Sequence, residues 1–154
     1  MASWVTIYLK EPLKNLDFEA VQKGIANADW LTLGEDFDIE EDEVNSFLEK
    51  LVWKQESLSI ELEEERPIQI QVWNSDKKIL AETEELDPPF KVQQHLANVK
   101  TIVAIEFGIS QHGTMFEVLA FEIAYWLVET NDGLICSPEN SWFDHDKHRW
   151  DPIK

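Results

Sequence analysis

Residues 101–136 read TIVAIEFGISQHGTMFEVLAFEIAYWLVETNDGLIC, and this stretch decides the fold. Its opening residues put Val103, Ile105 and Phe107 on one side of an extended chain and Ile102 and Ala104 on the other. A strand that is apolar on both sides belongs in the middle of a sheet, because both of its faces must be covered. Thr114 and Glu117 then form Thr-x-x-Glu, a pattern in which two side chains satisfy amides that a helix N-terminus leaves unpaired. The helix is predicted over 114–130 and stops at Asn131-Asp132-Gly133. Phe116, Leu119, Ala120, Ile123 and Leu127 line one side of it, while Val118, Phe121, Tyr125 and Val128 line the other. Such a helix is buried around most of its circumference. A short last strand follows at 134–136.

Toward the N-terminus, Val5, Ile7 and Leu9 alternate with Trp4, Thr6 and Tyr8, which predicts a first strand ended by Pro12. Phe18, Val21, Ile25 and Ala28 recur at helical spacing behind a capping Asp17, with Gly24 as a weak point. Residues 31–38 read as a connection around Gly34. Asp38 and Glu41 are expected to cap a second helix near 39–52, whose apolar face is Val44, Phe47, Leu48, Leu51 and Val52. Strands near 57–63 and 67–74, joined by a loop at 64–66, form an antiparallel hairpin. A tight turn at 75–78, a weak strand at 79–84 and a short helix at 88–98, opened by Asp87-Pro88-Pro89, complete the middle. The whole chain, 1–154, is expected to be one α+β domain. Its sheet should be mixed or mainly antiparallel, with four to six strands, helices largely on one face and a ferredoxin-like order, and 137–154 should be an irregular docked tail.

The charge is uneven. Of 154 residues, 31 are acidic and 13 basic, a net charge of −18, and residues 35–87 alone carry −13. Seven Trp, eight Phe and 44% apolar residues set the chain apart from a disordered acidic tail. No apolar run reaches the roughly 20 residues that cross a bilayer, and the first ten residues read as a strand, so the expected location is cytoplasmic, away from any membrane. The single Cys136 has no partner within the chain, which fits a reducing compartment.

Several motifs invite a chemical reading. Gly108-Ile-Ser-Gln-His-Gly113-Thr114 has the glycine spacing of a phosphate loop, but Thr114 and Met115 stand where such a loop has Lys and Ser or Thr, so it reads as a structural turn. Carboxylates at 36, 38, 40 and 42 alternate as in a calcium loop, yet Glu41 occupies the turn-glycine position and Phe47 the position of the bidentate Glu. Asp144, His145 and His148 offer nitrogen and oxygen ligands for zinc. His95 reads as a surface residue. Cys136 with Ser137, and Ser110 with His112, are the nucleophile candidates, and neither pair shows a third group that would orient a base. A basic patch for nucleic acid is absent from the sequence.

The acidic stretch suggests a docking site for a basic protein. Glu40, Glu41, Asp42, Glu61, Glu63, Glu64 and Glu65 would supply the field, with Trp53 and Trp73 as apolar anchors. The capped helix over 114–130, the run Asn131-Asp-Gly-Leu-Ile-Cys136 and Trp142 resemble a recurring ending of small cytosolic bacterial proteins, some uncharacterised and some immunity proteins of toxin systems. The resemblance covers about a fifth of the chain and carries over no functional residue. It implies a small α+β protein that blocks a toxin by binding it, acidic groups turned toward a cationic surface. The expected function is therefore non-catalytic binding of a basic protein, most concretely toxin neutralisation, with no cofactor. The alternatives are a DNA-mimic inhibitor of a nucleic-acid-binding protein and a metal-dependent enzyme built on the His145/His148 tail.

Overall fold

The computed structural model describes residues 2–13, 15–74, 88–144 and 152–153. The elements in chain order are β1 (Ala2–Leu9), α1 (Phe18–Ile25), α2 (Trp30–Asp36), α3 (Glu41–Lys50), β2 (Val52–Lys54), β3 (Ser59–Glu61), β4 (Ile68–Asn74), α4 (Phe90–Leu96), β5 (Thr101–Gly108), a 3-10 turn (Ile109–Gln111), α5 (Met115–Asn131), β6 (Gly133–Cys136) and β7 (Trp142–Asp144). Among the described residues the strands form one antiparallel sheet of order β2-β3-β4-β5-β1-β6-β7. Its centre is ferredoxin-like: β6-β1-β5-β4 is the β-α-β-β-α-β strand order, with α1–α3 crossing from β1 to β4 and α5 crossing from β5 to β6. Among the described residues seven strands stand where four to six are expected, because the short β2 and β7 extend the two edges. β7 also gives regular pairing to residues expected to be irregular, and the chain beyond it docks through Ile153, whose amide donates to the Trp142 carbonyl at 2.7 Å.

The expected middle position of β5 follows from its pattern. Val103, Ile105 and Phe107 face the large core with Val5, Ile7, Leu9, Ile68, Ile70 and Ile135, and α5 and α1–α3 cover that face. Ile102 points to the reverse face with Tyr8, Leu134, Cys136 and Trp142, beneath Val92 and Leu96 of α4. Each fully buried Leu or Ile contributes about 1.5–3 kcal/mol relative to an exposed one. α5 is buried nearly all round, as its sequence requires.

Departures from the sequence reading have local causes. Residues 30–36 form a helix, α2, where a connection is expected. Asp29 caps it by accepting from the Thr32 amide (3.2 Å) and hydroxyl (2.8 Å). Asp38 does not cap α3. It adopts a left-handed backbone (φ 58°) that closes the C-terminus of α2, with the Ile39 amide donating to Gly34 O (2.8 Å) and the Asp38 amide to Glu35 O (3.0 Å). Glu40 takes the N-cap of α3 without a side-chain cap bond, and Glu41, Asp42 and Glu43 in the first turn favour the helix dipole instead. α3 ends at Lys50, since Leu51 is extended and Val52 enters β2 opposite Glu61.

Gly24 and Gly133 admit close approaches. A Cβ on Gly24 would lie 1.9 Å from the Trp126 indole nitrogen, and one on Gly133 2.9 Å from the Tyr8 carbonyl oxygen. Gly133 therefore starts β6, and the residue that stops α5 is Asp132, in a left-handed conformation. His95 is buried at 8% exposure, its Nε2–H donating to Tyr8 O at 2.9 Å, because α4 lies on the reverse face of the sheet. Of α4's predicted start, Pro89 is the N-cap. Asp87, the turn at 75–78, the strand at 79–84 and the residues 145–151 lie outside the described residues.

Candidate functional site: an acidic cleft beside the capped helix

Three segments distant in sequence meet at one end of the main helical layer: α3, the β3–β4 loop and the start of α5. Between them lies a cleft of about 870 Å³. Glu43 and Lys50 of α3 reach it, with Glu63, Glu64 and Glu65 of the loop opposite, so four carboxylates face one ammonium among its lining residues. Its floor is apolar. Phe47 and Phe116 meet edge-to-face, with ring centroids 5.0 Å apart, and Met115 lies beside them.

The loop is held by Gln111, which is buried at 3% exposure. Its Oε1 accepts from the Gly108 amide at 2.7 Å and its Nε2 donates to Arg66 O at 2.9 Å, so one side chain joins the β5–α5 turn to the β3–β4 loop. Arg66 is also paired with Glu106 on the neighbouring strand. Glu64 sits at the tip in a left-handed conformation (φ 66°), which turns the chain so that three successive carboxylates are presented to solvent. The sequence pattern alone does not single out Gln111. A Gln between two glycines at a strand-to-helix junction was the available signal.

The structure divides the expected docking residues. Glu63, Glu64 and Glu65 line the cleft, and Glu40, Glu41 and Asp42 are exposed at the head of α3, in the N-cap and first turn that also carry Glu43. Glu61 is elsewhere: it alternates with the core residue Ile60, points to the reverse face and is paired with Lys54. The two tryptophans do not act together. Trp53 packs edge-on against Phe18 (5.3 Å, 81°) beside the main core, whereas Trp73 lies opposite Ile102 on the reverse face, 37% exposed. The sheet separates them.

The other candidates resolve differently. Asp144 is buried and its Oδ2 accepts from Lys91 Nζ at 3.1 Å, so it belongs to β7 instead of an exposed metal-binding tail; His145 and His148 lie outside the described residues. Burial pushes the Cys136 thiol up to about 11, which keeps it protonated and unreactive at neutral pH. The phosphate-loop reading meets a closed turn: the Gly113 amide donates to Glu117 Oε2 (2.8 Å) and the Phe116 amide to Thr114 Oγ1 (3.3 Å). Glu117 thus reaches Gly113, one residue before the amide that the expected box would engage. His112 does acquire orienting partners. Ser3 Oγ lies 2.6 Å from its Nε2 and Glu117 Oε2 lies 3.2 Å from its Nδ1. This line of hydroxyl, imidazole and carboxylate has the order of a hydrolytic relay, but the adjacent Gly113 amide, a natural donor to a developing oxyanion, is already bonded to Glu117.

The chain's charge, fold and cleft are thus the basis for a functional reading: no protein-family model, no curated protein and no solved structure matches it.

Proposed function

We propose that the protein is a non-catalytic interaction protein that docks a basic protein in the acidic cleft, most concretely as a toxin-neutralising, immunity-type protein. The observation that carries this reading is the convergence of Glu43, Glu63, Glu64 and Glu65 around an apolar floor. Carboxylates ringing aromatic side chains combine two functions. The charge steers a cationic partner over about a Debye length, roughly 8 Å at physiological salt, and the floor accepts an apolar or long aliphatic side chain such as the stem of Lys or Arg. Glu40, Glu41 and Asp42 extend the field along the exposed edge of α3.

The test is capture from native lysate on the immobilised protein at low salt, with elution by a salt gradient. A basic protein retained by the native chain and lost from the triple variant Glu63→Gln/Glu64→Gln/Glu65→Gln supports the reading. Equal retention by both sinks it. Competition by duplex DNA for a nucleic-acid-binding partner would identify a DNA mimic instead, and indifference to DNA with one dedicated partner favours the immunity-type role.

A further inference from the structure

We propose that His112, Glu117 and Glu139 form a site for a divalent cation of the zinc class, separate from the acidic cleft. The three residues come from two turns: His112 and Glu117 from the β5–α5 junction, Glu139 from the β6–β7 connection. Their ligand atoms all lie within 4.8 Å of one another.

Geometry and orientation support a metal here. A tetrahedral zinc with ligand bonds near 2.0–2.1 Å separates adjacent ligand atoms by about 3.3 Å. Nδ1 of His112 and Oε2 of Glu117 are 3.2 Å apart, already one edge of that tetrahedron. Glu139 is exposed on a turn, so its side chain is free to swing the remaining ångström or so onto the ion. The imidazole is held before any ion arrives. Ser3 Oγ engages Nε2 at 2.6 Å, and the Phe107 ring packs edge-on against it, centroids 5.1 Å apart. In the tautomer whose Nε2–H donates to Ser3 Oγ, Nδ1 offers its lone pair beside Glu117 Oε2, where a cation would replace the Nδ1–H···Oε2 hydrogen bond of the other tautomer. Glu117 is fixed in turn by the Gly113 amide. Such outer partners set the tautomer and angle of a metal-binding His.

The donor set selects the ion. One imidazole nitrogen and two carboxylates suit zinc or a similar first-row dication, whereas calcium and magnesium take six or more oxygen ligands. Two carboxylates balance the dication, and three protein ligands leave a fourth position for water. Zinc takes the deprotonated Nδ1, so metal and proton compete for that nitrogen.

The experiment is calorimetric titration of the full chain with zinc chloride, at high salt to suppress loose cation condensation and with magnesium present as competitor. One equivalent is expected to bind. Affinity should fall at least about tenfold in Glu139→Gln and in His112→Gln, and stay unchanged in the tail variant His145→Gln/His148→Gln. Glu139→Gln alters an exposed turn, so it keeps the test valid should His112→Gln fail to fold. Nitrogen NMR should show the His112 Nδ1 resonance moving on zinc addition. Absence of saturable binding, binding indifferent to Glu139→Gln, or binding abolished by the tail variant would each overturn the proposal.

Discussion

The stretch from β5 to β6 and the stretch from α3 to β4 are built by opposite rules. In the first, β5 and α5 are long and mostly apolar and buried, and α5 carries its own cap and stop. In the second, β2 and β3 are three residues each, α3 buries Val44 and Phe47 in its ten residues, and carboxylates occupy the loop. A long apolar element specifies its place by what it must hide. A short charged element is placed by its neighbours, and this leaves its outer surface free to carry charge.

The largest break in that comparison is a cavity in the first stretch. Leu119 is fully buried in α5, so Leu119→Ala should lower stability by about 2–5 kcal/mol, read as a shift in the urea midpoint, while Val52→Ala in the exposed β2 should move it by no more than about 0.5 kcal/mol. A comparable loss from Val52→Ala would erase the distinction. Next comes Gln111, the link between the two stretches. Gln111→Leu strands the Gly108 amide and the Arg66 carbonyl, at a cost of about 1–3 kcal/mol, and should also raise amide exchange in the 63–66 loop. Exchange unchanged there would show that the loop is held by other contacts.

The reverse face offers a third test. Desolvation lowers the pKa of His95 below its ordinary value of 6.5, against the opposing effect of its bond to Tyr8 O. Between that lowered value and 6.5 the unfolded chain holds more protons, so stability is fully present above pH 6.5 and declines as the pH falls through this window. His95→Gln retains a donor for Tyr8 O and should flatten that part of the pH–stability curve. An identical curve in both proteins would place the acid sensitivity elsewhere. The smallest effect is expected in the cleft: Glu63→Gln/Glu64→Gln/Glu65→Gln should shift stability by about 0.5 kcal/mol or less, toward greater stability as like charges are removed. A marked destabilisation would mean that these carboxylates hold the fold instead of serving a partner.

Much of the architecture was legible because it rests on periodicity. Ile102 to Phe107, the Thr114 helix and the hairpin before Asn74 each carry a pattern that one arrangement satisfies, and the ferredoxin-like centre follows from joining them in chain order. Reading failed where a residue's role depends on a partner remote in sequence. Asp38 reads as a cap of the helix after it and closes the helix before it, because a left-handed backbone has no signature beyond the tolerance of Asp for it. His95 reads as a surface group among glutamines, and the reverse face of the sheet buries it. The candidate site was half legible. The carboxylates announced themselves by number, but which of them converge was fixed by Gln111 and by the turn at Glu64.

The sequence by itself determined a central β5, a buried α5, an acidic middle and the absence of a second cysteine, since hydrophobic period, charge and composition are properties of neighbouring residues or of the whole chain. Only the tertiary structure decided that Glu43 faces Glu63–Glu65 across an apolar floor, that Trp53 and Trp73 lie on opposite sides of the sheet, and that Ser3, His112, Glu117 and Glu139 meet at the foot of α5. The Ser3–His112 contact alone joins residues 109 positions apart. The geometry of these meetings is set by strand register and by the packing of crossover helices, which no local pattern encodes.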